Sequence, residues 1–142
     1  MAFAIVAAAL GAGMAGDQWD GLPGNLAKLT DQTNNSAQYT SALITFAAAV
    51  RQVRAQVWIK TYAQGTASAG PQLELVVADN SGFTTNLRTV ASGVLGRRPG
   101  DILLNGVVPD NFLAQWAKLV ITNGPGGSAT DSFTFDAQID AF

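Results

Sequence analysis

Asp136 and Asp140 stand four residues apart on one alternating segment, and a carboxylate pair is the basic equipment of glycoside hydrolysis. Such a pair has to face across a cleft. Alternation instead puts both on the outer face of a single strand, where two solvated aspartates are the simpler reading. The remaining acidic positions offer little more. Asp79-Asn80-Ser81-Gly82 gathers oxygen ligands without the spacing of a calcium loop and reads as a tight turn. Gly11-Ala12-Gly13-Met14-Ala15-Gly16 is a literal G-x-G-x-x-G after an apolar run. That fingerprint binds a dinucleotide only if a helix begins at the glycines and receives the pyrophosphate. Gly21, Pro23 and Gly24 follow and deny it the helix. Arg97 and Arg98, beside Pro99 and Gly100, are suited to gripping a partner's carboxylates bidentately.

What is missing narrows the chemistry further. The chain has no histidine and no cysteine. That removes the commonest general base, a thiolate metal site, disulfides and the usual serine or cysteine triads. No serine lies in a nucleophile-elbow sequence. Charged residues make up 13% of the 142, the net charge is −2, and the eight Lys and Arg form no basic stripe. Nucleic acid is therefore not an expected partner. No catalytic residue, cofactor or metal is expected. A surface this poor in charge suits a chain packed against neighbours.

The elements that must position any site read most clearly from Val50 to Phe142. Val53, Ala55, Val57 and Ile59 alternate with Arg54, Gln56, Trp58 and Lys60. The same two-residue beat runs through Leu73, Leu75, Val77, through Ala117, Leu119, Ile121, and through Phe133, Phe135, Ala137, Ile139. Each segment then has one face for a core and one for water or a partner. Pro and Gly fall between these segments, which predicts an antiparallel β-sandwich or barrel. The first strand is expected within Tyr39–Phe46, giving residues 39–142 as the sandwich domain and residues 1–38 as an irregular N-terminal arm. Within that arm, Leu26–Leu29 reads as a short turn of helix and Asp31–Ser36 as a polar loop. The apolar run Met1–Ala15 is too short to span a membrane, which needs about 20 residues, and it lacks the basic start of a secretory signal.

Trp58 and Trp116 both face away from the aliphatic side of their strands, each followed two residues on by a lysine. Outward tryptophans are frequent interface anchors. Phe3, Leu10, Trp19 and Leu22 belong to an apolar leader with no period of its own, which has to lie on something. The expected partner-binding residues are these six together with Arg97 and Arg98. The arm is expected to run across a subunit boundary, anchored by Trp19 and Leu22.

Three stretches carry a resemblance: Ala55-Gln-Val-Trp-Ile-Lys60 with Leu73 to Phe83, the segment Trp116 to Asn123, and Ser132 to Phe142 at the end. In order, spacing and texture they resemble the jelly-roll cement, or decoration, proteins that reinforce capsids of tailed phages. The likeness covers roughly the last ninety residues. It implies a jelly-roll β-sandwich of about eight strands. It implies a structural protein on the virion surface, assembled in the host cytoplasm. The expected partners are the major capsid protein and copies of itself as a dimer or trimer, with no membrane and no nucleic acid. The alternative is a carbohydrate-binding sandwich module, or a phage tail component, with Trp58, Tyr62 and Trp116 stacking on sugar. A glycosidase built on a sandwich is the third reading.

Overall fold

The computed structural model describes residues 26–125 and 131–142. Its elements there are all strands: β1 (Leu26–Asn34), β2 (Gln38–Thr40), β3 (Ile44–Val50), β4 (Gln52–Ala63), β5 (Gln72–Ala78), β6 (Arg88–Val94), β7 (Gly100–Val107), β8 (Ala114–Thr122) and β9 (Ser132–Ala141). They form two antiparallel sheets. The front sheet has the order β1-β9-β4-β7, and the back sheet β2-β8-β5-β6 with β3 also on β8. β2 and β3 are two pieces of one edge lying along β8. Counted so, the orders 1-9-4-7 and (2,3)-8-5-6 are the connectivity of a jelly roll. The expected all-β sandwich is the observed fold.

The alternating segments explain the core. Val57, Ile59, Leu73, Leu75, Val77, Leu119, Ile121, Phe133, Phe135 and Ile139 are all buried between the sheets. β-branched and aromatic side chains fit this pleated surface, and each strand sends every second one inward. Phe135 sits at the middle, its ring edge-on to Tyr39 at 4.9 Å and tilted against Phe133 at 5.9 Å.

The N-terminal boundary differs from expectation. Residues 26–34 are neither a helical turn nor a loop. They are β1, the edge of the front sheet, paired with β9. The sandwich therefore includes residues expected in the arm, and it starts no later than Leu26 instead of at Tyr39. The polar run Asp31–Asn34 conceals the strand because its register shifts between Leu29 and Gln32. Asp31 takes a φ of 52° there. A bulge breaks the two-residue beat, and Asp tolerates the left-handed region.

A second bulge lies between Ile59 and Thr61 on β4. It reverses the alternation of that strand. Thr61 points out, and Tyr62 packs against the core, stacked on Phe133 at 5.5 Å. Tyr62 is thus not an outward aromatic.

Asp131 ties the loop after β4 to the start of β9. It is fully buried and accepts N–H bonds from Gly65 and Ala67, each at 2.8 Å. Arg97 lies 3.6 Å away and donates to the Gly65 carbonyl at 3.2 Å. Burial works to raise this carboxyl. The amides of Gly65 and Ala67, the Arg97 charge and the Thr66 amide outweigh it and hold the group below its ordinary value.

Two outcomes follow. Phe135→Ala should lower unfolding free energy by about 3–5 kcal/mol in urea titrations, and a loss under about 1 kcal/mol would show that the ring is not the packed centre. A depressed carboxyl contributes stability above its unfolded value, here 3.8, which is lost as pH falls through the folded value. Melting temperature should therefore drop as pH falls below 3.8, and Asp131→Asn should melt lower at neutral pH with a shallower acid decline. An unchanged acid slope in that variant would remove Asp131 from the account.

Candidate functional site

The outer face of the front sheet carries ion pairs between β4 and β9. Its central strand β9 sends Asp136, Gln138 and Asp140 outward, opposite the inward Phe135, Ala137 and Ile139. Sequence reasoning makes the two aspartates solvated. They are not: Asp136 is 5% exposed, and Gln138 and Asp140 are 0% exposed. Each carboxylate is met by a cation from β4. Arg54 Nη2 lies 2.7 Å from Asp140 Oδ2. Lys60 Nζ lies 3.2 Å from Asp136 Oδ1 and also bonds the Asp31 carboxylate.

The two bulges build the Lys60 cluster. β1 and β4 flank β9, and both shift register beside Phe135, where Gln32 and Ile59 are its partners. The extra residues, Asp31 on one side and Lys60 on the other, converge on Asp136. The Asp31 N–H donates to Asp136 Oδ1 at 2.8 Å. The Asp31 carboxylate, against some desolvation and with help from Asp136, holds the Lys60 ammonium above its ordinary value. These carboxylates are committed to cations and amides on one flat sheet. The geometry is that of a structural ion-pair row rather than of an acid and a base across a cleft.

The other half of this face is open. β4 and β7 pair with Trp58 beside Asp101, Gln56 beside Leu103, Arg54 beside Asn105 and Gln52 beside Val107. Trp58 is 42% exposed, Leu103 61% and Val107 74%. Between them the polar groups bond diagonally, Gln52 Nε2 to Asn105 Oδ1 at 2.6 Å and Gln56 Nε2 to Asp101 Oδ2 at 3.4 Å. The result is an indole flanked by Gln56, Lys60, Asp101 and Asp136, with two aliphatic side chains along the β7 edge.

The expected partner-binding residues do not gather in one place. Trp58 lies on the front sheet, as described. Trp116 lies on the outer face of the back sheet between Thr45 and Ala78, half-buried. The sandwich thickness separates the two tryptophans. Lys118, two residues on, is placed over the Phe83 ring at 4.9 Å. Arg97 belongs to the Asp131 tether. Arg98 is exposed and lines a small hollow with Leu95, Pro99 and Asp101. The two arginines therefore do not act as a pair. Phe3, Leu10, Trp19 and Leu22 lie outside the described residues.

A shallow cleft lies where β6 meets β7, lined by Leu87, Arg88, Val90, Val107 and Pro109. Gly106 brings the two strands together there, since a Cβ on it would come within 2.8 Å of the Val90 carbonyl oxygen. Asp79-Asn80-Ser81-Gly82 is a turn closed by the Phe83 N–H on the Asn80 carbonyl at 3.1 Å. Among the described residues no group of three or more Asp or Glu is placed to hold a metal ion.

Sequence reasoning missed the ion-pair row and the Asp131 tether. The row had a legible signal: Arg54 and Lys60 lie on the same face of β4 that Asp136 and Asp140 occupy on β9. Pairing those two strands was the missing step.

No protein-family model matches this chain, and no curated protein sequence matches it. Several solved structures are similar to this chain. One is FlhE, at 13% identity and a TM-score of 0.44 over 82% of this chain and 92% of that one. Another is the CBM22-1–GH10 part of the Clostridium thermocellum xylanase Xyn10B in complex with xylohexaose, at 18% identity and a TM-score of 0.46. That match covers 80% of this chain and 24% of the xylanase chain. A third is the carbohydrate-binding module CBM6cm-2 of Cellvibrio mixtus lichenase 5A with cellotriose, at 10% identity and a TM-score of 0.38 over 82% and 97% of the two chains. The chain's own strand pairing makes it an all-β sandwich.

Proposed function

We propose that this chain is a non-catalytic binding module that recognises carbohydrate on the open half of its front sheet. The observation that carries the reading is Trp58. Its indole stands 42% exposed on a central strand, with Gln56 and Asp101 as hydrogen-bonding neighbours. A pyranose ring offers C–H bonds on its faces and hydroxyls around its rim. The indole takes the face, Gln56 beside it supplies a donor and an acceptor for the rim, and Asn105 and Gln52, about 13 and 20 Å further along the strand, meet the next sugars of an oligosaccharide. Asp101 adds an acceptor for a hydroxyl. Little net charge is needed for a neutral sugar, which fits the composition.

A second reading is favoured by Leu103 and Val107. Aliphatic side chains 61% and 74% exposed beside a tryptophan are more than a glycan requires. They suit a protein partner. In that reading the module decorates a phage capsid, binding the major capsid protein from outside as a dimer or trimer, on a virion assembled in the host cytoplasm.

Glycan-array binding followed by calorimetry separates the two. Trp58→Ala should weaken oligosaccharide binding at least about tenfold, roughly 1.4 kcal/mol, with an unchanged melting temperature. Suppose instead that the native chain retains no glycan but sediments with assembled shells at a fixed ratio, and Leu103→Asp abolishes this. The carbohydrate reading then fails and the capsid reading stands.

A further inference from the structure

Among the described residues β7 pairs on one side only, with β4. β6 meets it through side chains, Ile102 and Leu104 reaching Gly93, without joining its ladder. Native sandwiches break or charge such an edge, because a bare row of N–H and C=O groups is a template for another chain. The other edges of the two sheets are broken in this way. β1 shifts register around Asp31, β2 and β3 divide one edge between them, and β6 shifts against β5 between Leu75 and Val76. β7 is not. Its pairing runs without a shift from Gly100 to Val107, and its 8 residues include no lysine, arginine or proline. Its outward side chains Asp101, Leu103, Asn105 and Val107 are all exposed.

The sequence of this edge has a second property. Read outward from Leu103, it is chemically alike in both directions. Ile102 answers Leu104, Asp101 answers Asn105, Gly100 answers Gly106, and Pro99 answers Val107. An antiparallel pair of identical strands about a two-fold axis sets every residue opposite one fixed counterpart. We propose that β7 is a dimer edge, joined to β7 of a second copy of this chain about an axis through Leu103.

That register suits every pair it creates. On the outer face Leu103 meets Leu103 of the second copy, which takes both out of water. The Asn105 carboxamide of each copy donates to the Asp101 carboxylate of the other, and Pro99 meets Val107 at both ends. On the inner face Gly100 opposes Gly106, so no side chain obstructs the backbones there. Moving the axis to Leu104 would set Leu103 against Asn105 and Asp101 against Val107 and lose the match. A partner of unrelated sequence has no use for the symmetry, which makes a second copy the occupant. The two front sheets then run on as one. Three strand spacings across and the step from Asp101 to Asn105 along put the two Trp58 side chains about 20 Å apart on one outer face. A longer bed for an oligosaccharide results, and that consequence alone rests on the carbohydrate reading.

Because the chain has no cysteine, single cysteines report the axis directly. Leu103→Cys and Val107→Cys variants of the full chain are oxidised with diamide at equal concentration. About the proposed axis the two Leu103 positions lie about 4.5–5.5 Å apart between Cα atoms, within disulfide reach, and the two Val107 positions about 27 Å apart. Leu103→Cys should form a covalent dimer at least about tenfold faster, although Val107 is the more exposed. Equal rates, or faster cross-linking of Val107→Cys, would overturn the proposal. In sedimentation equilibrium the native chain should dimerise as its concentration rises. Leu103→Lys and Leu103→Glu should each stay monomeric with the native melting temperature, and a mixture of the two should dimerise again, because Leu103 faces its own counterpart. A native chain that is still monomeric at about 0.5 mM, or a mixture that does not dimerise, would equally overturn it. No sugar enters either measurement, so a failure here leaves the carbohydrate reading standing.

Discussion

β9 is the strand to which the rest of the molecule is fitted, because both of its faces are buried. A strand with water on one face has its register set by one face alone. In β9 both faces set it. Moving it against β4 would pull Phe133 from the Tyr62 ring and would part Asp140 from Arg54 and Asp136 from Lys60 at the same moment. The desolvation of a buried carboxylate is large, and only its own cation in the right place offsets it. The ion-pair row thus contributes register more than net stability. The bulges in β1 and β4 are part of the same device, since they bring Asp31 and Lys60 to one carboxylate.

That constraint divides the front face. On the β9 side the charges are buried and ion-paired, and the Gln138 carboxamide is buried among them. On the β7 side, Trp58, Leu103 and Val107 are left exposed above a backbone that β9 holds in register through β4. A recognition surface gains from such rigidity, because little ordering is needed when the ligand arrives. The back sheet offers less: Trp116 is half-buried, and Lys118 is already placed on Phe83.

Much of the sandwich was legible in the sequence, because alternation is a local signal. The β4, β5, β8 and β9 core positions follow from their two-residue beat alone. β1 was not legible. Its Asp31 bulge interrupts the beat, and its second half, Thr30 to Asn34, is polar on an edge strand. Tyr62 was misplaced for the same reason, since the bulge after Ile59 turns it inward. The burial of Asp136 and Asp140 was hidden in a different way. An outward position on one strand says nothing of what its neighbours bring. Only the pairing of β4 with β9 places Arg54 and Lys60 there. Of the candidate site, Trp58 was legible from alternation. Its companions Asp101 and Asn105 were not, because β7 reads as a short strand without a strong apolar period.

The central claim is that the open half of the front sheet, centred on Trp58, is the surface that recognises a ligand. The three tryptophans of the chain allow it to be tested in one experiment, since each indole N–H gives its own NMR signal. During titration with neutral oligosaccharides, the Trp58 indole and the side-chain amides of Gln52, Gln56 and Asn105 should shift together, with Trp116 unmoved. Shifts centred on Trp116, or none at any indole at millimolar sugar, would contradict the account.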